Sequence, residues 1–247
     1  MAKRTERGPL DGRNIKVIGL GGIGSVVAQA LAQFLASLRA DCRVWLIDGD
    51  SYEESNRSRV VFGECGNKAI VKARELATAA NGAISIVPVP KYVTPRNVSR
   101  LVEERDIVFL CVDNHATRRV VSKHCSGGTL RDALLISGGN DGIEEGRAGT
   151  FGNVMIYLRK SGRGRTNPLT KFHPEIAKPA DKRPDQLSCA ELAQSSAPQL
   201  LFTNLQVASA MLGAFYAWLT GRMDYEEVFL DVAEGRMNPV SRQSKRA

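Results

Sequence analysis

The sequence predicts an α/β fold: a doubly wound sheet, mostly parallel, with antiparallel strands added in the C-terminal half. Three observations carry this. Short apolar runs alternate with amphipathic stretches over the first 140 residues, the pattern of strands joined by crossover helices. A glycine-rich turn, "GLGGIG", stands between the first run and the first stretch. Beyond residue 140 the alternation gives way to a further strand-like run, a long polar segment and one very apolar helix.

The elements follow in order. Residues 15–20 form a buried first strand. Over 22–37, Ile23, Val26, Val27, Ala30, Leu31, Phe34 and Leu35 recur at helical spacing. "RVWLID" at 43–48 is a second strand, and a helix near 67–81 ends at Asn81-Gly82. "AISIVPV", "DIVFLCV" (106–112) and "ALLISG" (133–138) supply three more strands, and "GTFGNVMIYL" an added antiparallel one. Residues 159–188, rich in Pro, Lys, Arg and Asp, read as a long loop, of a length that is usually functional or mobile. The stretch 198–219 is apolar nearly all round, and Pro198 suits its first turn. Such a helix is buried in a core or at a subunit interface. "EEVFLDV" is a last strand, and the basic tail after Pro239 is expected to be disordered.

The chain has 247 residues, 43% hydrophobic and 24% charged, enough length and apolar content for a sizeable core. It holds no run of about 18 apolar residues, so no membrane span is expected. The start, "MAKRTERGPLDGR", lacks the apolar centre of a secretory signal. Five cysteines, none in C-x-x-C, argue against a disulfide framework or a structural zinc and fit a reducing cytoplasm. The net charge of +8 lies partly at the two ends, and no basic–aromatic motif points to nucleic acid.

Gly19, Gly21, Gly22 and Gly24 form G-x-G-x-x-G between a strand and a helix. Such glycines permit a tight turn and let phosphates approach backbone N–H groups at a helix N-terminus, as in Rossmann-like sheets. Asp48 ends the second strand, 24 residues after Gly24, where a carboxylate takes ribose hydroxyls. This describes an adenosine site, with NAD and ATP both open; the P-loop pattern G-x-x-x-x-G-K-[ST] is absent. A dense polar set follows: Asp50, Ser55, Asn56, Arg59 and Lys72. Asn56 suits a phosphate or sugar oxygen, and Arg59 and Lys72 suit a polyphosphate and a leaving pyrophosphate. Asp113 and Asn114 stand at the carboxyl end of the fourth strand, where open α/β sheets bind ligands. Asp113 suits Mg²⁺, which takes one or two carboxylates plus phosphate oxygens.

The set "GLGGIG", "DGDSYEESNRSR", "GNKAIVKA" and "VDNHATR" resembles the ThiF/MoeB/HesA and ubiquitin-activating (E1) adenylyltransferases. The resemblance covers about 14–140 and returns over 185–220 in "SCAELAQSSAPQLLFTNLQVASAML". The form without C-x-x-C zinc ligands looks most similar to bacterial ThiF-like proteins of plasmid or defence operons. The resemblance implies one adenylation domain over 1–247: a nucleotide-binding half, 14–140, a carrier-binding and dimer half, 141–235, and the tail 236–247. It implies ATP-dependent adenylation of the C-terminal glycine of a ubiquitin-like or sulfur-carrier protein by a homodimer. Asp48 would take the ribose, Asn56, Arg59 and Lys72 the phosphates, and Asp113 the magnesium; Cys189 would be the thiol for any later transfer. Arg4, Arg7 or Arg13 could be the arginine that crosses into a partner's site. Departures are visible: Arg57 and Val60 stand where the family has an apolar residue and glutamine. Two other readings share parts of the pattern: an NAD(P)-dependent oxidoreductase, which leaves Asn56, Arg59 and Lys72 unexplained, and a non-catalytic scaffold binding a ubiquitin-like partner.

Overall fold

A computed structural model describes residues 9–58, 60–80, 82–187 and 198–241. Its centre is a parallel sheet of β1 (Arg13–Ile18), β2 (Cys42–Ile47), β5 (Ser85–Val89), β6 (Ile107–Leu110) and β7 (Ala133–Asn140). Two short strands, β3 (Ser51–Tyr52) and β4 (Gly66–Asn67), pair beside it, and β8 (Ile143–Glu144) with β9 (Arg147–Ala148) form a small hairpin. The sheet is extended antiparallel by β10 (Phe151–Lys160), which also carries β11 (Arg163–Gly164), then by β12 (Glu227–Asp231) and β13 (Arg236–Val240). The spatial order is β13-β12-β10-β7-β6-β1-β2-β5.

Strand alternation divides the core. Ile15 and Val17 of β1 face one cluster, with α1 (Gly22–Ser37), α2 (Lys68–Ala79) and a late helix, α6 (Leu201–Leu219). Ile18 and Val108 face the other, with α3 (Val98–Leu101), α4 (His115–Ser126) and α5 (Pro174–Ala177). The result is a three-layer α/β/α fold of Rossmann type. The chain leaves β1 toward β2 on one side and adds β6 on the other, so the order reverses between β1 and β6. Ligands bind open α/β sheets at that crevice.

Several boundaries differ from expectation. The first strand stops at Ile18, which frees Gly19 for the turn. Pro198 lies outside α6, whose N-cap is Leu200, and its carbonyl instead accepts the Ile143 N–H at 2.7 Å. The helix buries one face, through Val207, Ala208, Met211 and Phe215, while Phe202 and Tyr216 stay 63% and 57% exposed. Strand β13 runs up to Val240, and Pro239 is tolerated there because an edge strand needs no second ladder; of the tail expected to be disordered, 242–247 lie outside the described residues. The loop 159–188 contains α5 and two 3₁₀ turns, Leu169–Lys171 and Pro184–Gln186, pinned by the buried Leu169 and Ile176. Cys125 lies inside α4 and Cys111 just beyond β6. Among the described residues, no helix is long and apolar enough to cross a membrane.

Candidate active site

A cleft of about 610 Å³ opens at the carboxyl ends of β1, β2, β6 and β7. Its floor is the glycine turn. Gly19 has φ +87°, and a Cβ there would stand 2.9 Å from the Cys111 carbonyl. A Cβ on Gly24 would stand 1.8 Å from the Gly19 carbonyl oxygen, so α1 can seat on the turn only without one. Gly21, the N-cap of α1, and Gly22 line the cleft.

Asp48 follows β2 directly. One carboxylate oxygen accepts the Leu20 N–H at 2.6 Å and the other the Asp50 N–H at 2.8 Å. The residue is 8% exposed. Burial pushes its pKa up to about 6, against the opposing charge of Lys68. Asp50 pairs with the Lys68 ammonium at 3.3 Å and accepts the Tyr92 hydroxyl. Asn67 caps α2, its Oδ1 accepting the Ala69 and Ile70 N–H groups, and so sets Lys68 at the first helical position, beside the cleft.

Asp113 is exposed and lines the cleft just after β6. Asn114 also lines it, while its Oδ1 caps α4 by accepting the Thr117 N–H at 2.8 Å. Arg118 is buried and donates to the Val112 and Gly138 carbonyls at 2.6 and 2.8 Å and to Ser137 Oγ at 2.7 Å. That buckle fixes the ends of β6 and β7 around the crevice. Asp181, from the loop before the 3₁₀ turn Pro184–Gln186, accepts the His115 and Ala116 N–H groups at 2.6 and 2.9 Å. His173 sits between Glu227 and Glu175, at 2.7 and 2.9 Å, and the bond to Glu227 raises its pKa against burial.

Two expected phosphate ligands stand elsewhere. Lys72 is 3% exposed, and its ammonium binds Glu75 at 2.6 Å and the Val61 carbonyl at 3.1 Å. It lies one helical turn beyond Lys68, so it braces the segment before α2 and is not among the residues lining the cleft. Asn56 accepts the Glu53 N–H at 3.1 Å inside a 3₁₀ turn and also lies off the cleft lining. Arg59, Cys189, Arg4 and Arg7 lie outside the described residues. Arg13 begins β1 and donates to the Arg105 carbonyl at 2.7 Å, with its guanidinium over Trp218. The cleft thus unites Gly19, Gly21, Gly22, Asp48, Asp50, Asp113 and Asn114, and adds Lys68, Tyr92 and Arg118. Lys68 and Arg118 both lie inside the quoted motifs, but helix phase and strand register were needed to give them places.

Residues 9–245 match the ThiF family model. The chain belongs to the ThiF family. The molybdopterin-synthase adenylyltransferase of Escherichia coli (strain K12) is 30% identical over 166 residues, 66% of this chain and 61% of that protein. The adenylyltransferase and sulfurtransferase MOCS3 of Bos taurus is 36% identical over 114 residues, 45% of this chain and 24% of that protein. The chain therefore spans less than two thirds of these curated relatives. Among solved structures, E. coli MccB with ATP superposes with a TM-score of 0.68 at 18% identity, covering 96% of this chain and 67% of that one. MccB with MccA-N7isoASN gives 0.70 at 18% identity, covering 97% and 67%. These likenesses agree with the three-layer fold of the ThiF-family chain.

The donor set also bears on a metal. Among the described residues, no group of three His, Cys, Asp or Glu side chains is placed to hold an ion. Asp113 is an exposed carboxylate on the cleft lining, which also carries the exposed Asp141, Glu144 and Glu175. That suits Mg²⁺ shared with phosphate oxygens rather than a protein-only cage.

Proposed function

We propose that this ThiF-family chain adenylates the C-terminal carboxylate of a small carrier protein with ATP. The observation that carries the reading is the meeting of Asp48, the glycine turn, Lys68 and Asp113 in one cleft. Asp48 accepts the ribose hydroxyls, and the N–H groups at the start of α1 face the phosphates. Lys68 and Arg59 offset the charge that grows on the departing pyrophosphate. Asp113 would hold Mg²⁺, which supplies charge neutralisation on the phosphates. An oxygen of the carrier's carboxylate forms a bond to the α-phosphorus as the bond from that phosphorus to the bridging oxygen breaks. The electron pair leaves with pyrophosphate. The reaction needs no protein nucleophile, so positioning and charge do the work.

The names of the family relatives support adenylation, and the carrier is proposed to end in glycine. Their names include molybdopterin-synthase adenylyltransferase and adenylyltransferase and sulfurtransferase. Cys189 is the candidate for any later thiol transfer. The exposed apolar face of α6, with Leu201, Phe202, Leu205 and Tyr216, supports a homodimer. Light scattering at micromolar concentration should give twice the mass of 26.9 kDa, and the monomer mass would remove that part. The nucleotide is tested by titrating the protein with MgATP and with NAD in a calorimeter. The reading expects heat with ATP alone; binding of NAD without ATP would favour the oxidoreductase.

A further inference from the structure

The loop after β5 carries a tyrosine that no sequence motif singled out. The Tyr92 ring lies against Gly49, where a Cβ would stand 2.7 Å from it. Its carbonyl accepts the Asn97 side-chain amide at 2.9 Å, which fixes the backbone. Its hydroxyl donates to Oδ1 of Asp50, and Lys68 Nζ reaches Oδ2 of the same carboxylate at 3.3 Å. All three side chains line the cleft. One carboxylate is therefore shared between a neutral donor and a cation.

We propose that Tyr92 is a positioning residue for the nucleotide: by sharing Asp50, its hydroxyl lets the Lys68 ammonium turn from that carboxylate to the outer phosphates of ATP. The inference rests on reading the cleft as the ATP site. Lys68 has to exchange one anion for another when ATP enters. A carboxylate that keeps an O–H donor gives up a cation at lower cost than one whose charge falls on the cation alone. Without the hydroxyl, Asp50 holds Lys68 more tightly and competes with the phosphates. The phenol is suited to this part. Burial and the bond to Asp50 push its titration well above the ordinary tyrosine range, so it stays a donor. Gly49 leaves room for the ring over the chain between Asp48 and Asp50.

The test uses the full chain and two probes, MgATP and AMP, titrated by calorimetry. The variants are Tyr92→Phe, Lys68→Ala, the double Tyr92→Phe/Lys68→Ala and the double Tyr92→Phe/Asp50→Asn. Tyr92→Phe keeps the ring on Gly49 and should weaken ATP about five- to tenfold, with AMP changed less than about twofold. In the Lys68→Ala background the same substitution should cost less than about twofold, since the residue acts through Lys68. Asp50→Asn should restore ATP affinity to Tyr92→Phe, because a neutral amide no longer competes for the ammonium. Equal losses for ATP and AMP, or a full loss without Lys68, would overturn the proposal and leave Tyr92 as a wall of the cleft. Should Tyr92→Phe fail to fold, Asp50→Asn decides: the proposal expects ATP to bind at least as tightly, and weaker ATP binding with AMP unchanged would refute it. A wild-type chain that binds neither nucleotide would instead remove the ATP reading itself, and this inference with it.

Discussion

Lowering the pH should weaken ribose recognition with a midpoint near the titration of Asp48. That carboxylate is 8% exposed and its pKa is pushed up to about 6, first by burial. Its ionised form accepts hydroxyl hydrogens, and protonation removes acceptor capacity. With a pKa near 6, roughly one tenth of the molecules are ionised at pH 5 and nearly all at pH 8, so affinity should fall up to about tenfold over that range. Adenosine is the right probe, because nucleotide phosphates themselves titrate near pH 6. Calorimetry or fluorescence titration from pH 5 to 8 reads the curve, with Asp48→Ala as the flat control. The same shift has a stability counterpart. The folded chain holds this proton more tightly than the unfolded chain. The contribution to stability is therefore greatest below the unfolded pKa of about 4 and is lost as pH rises through about 6, by roughly 3 kcal/mol. An adenosine affinity that is level across pH 5–8 in the wild type would refute the reasoning.

Other expectations follow from the same geometry. Gly24→Ala should destabilise the fold by roughly 3 kcal/mol in urea unfolding, because the new methyl meets the Gly19 carbonyl; an unchanged midpoint would contradict the packing. Lys72→Met should cost about 1–2 kcal/mol of stability by releasing Glu75 and Val61, whereas Lys68→Ala should spare stability and weaken ATP. Reversed effects in unfolding and ATP titration would restore Lys72 to the phosphate site. Asp113→Ala should keep its melting temperature within about 2 °C and lose pyrophosphate exchange; activity within a few-fold of wild type would end its role.

The N-terminal half of the fold was legible because several signals agree there. Apolar periodicity placed β1 and α1, the glycine spacing placed the turn, and strand length put Asp48 at the end of β2. Lys68 went unnoticed beside Lys72 for a local reason. Both lie on one helix, and only the Asn67 cap, which starts α2 at Lys68, tells which of them meets the cleft. Tyr92 was hidden because its partner Asp50 is 42 residues away. Strand β13 was hidden because four of its five residues are exposed, so no hydrophobic alternation marks it. The burial of Lys72 among Glu75 and the Val61 carbonyl is likewise a tertiary fact with no spacing signal.

Isotope exchange between pyrophosphate and ATP tests the central claim most directly. The acceptor should be a small protein ending in glycine that co-purifies with the chain or is encoded beside it. Exchange that requires this acceptor, Mg²⁺ and an intact terminal carboxylate is the expected result, with an AMP-carrying acceptor visible by mass spectrometry. ATP binding with no exchange in the presence of that bound acceptor would contradict adenylation and leave the scaffold reading in its place.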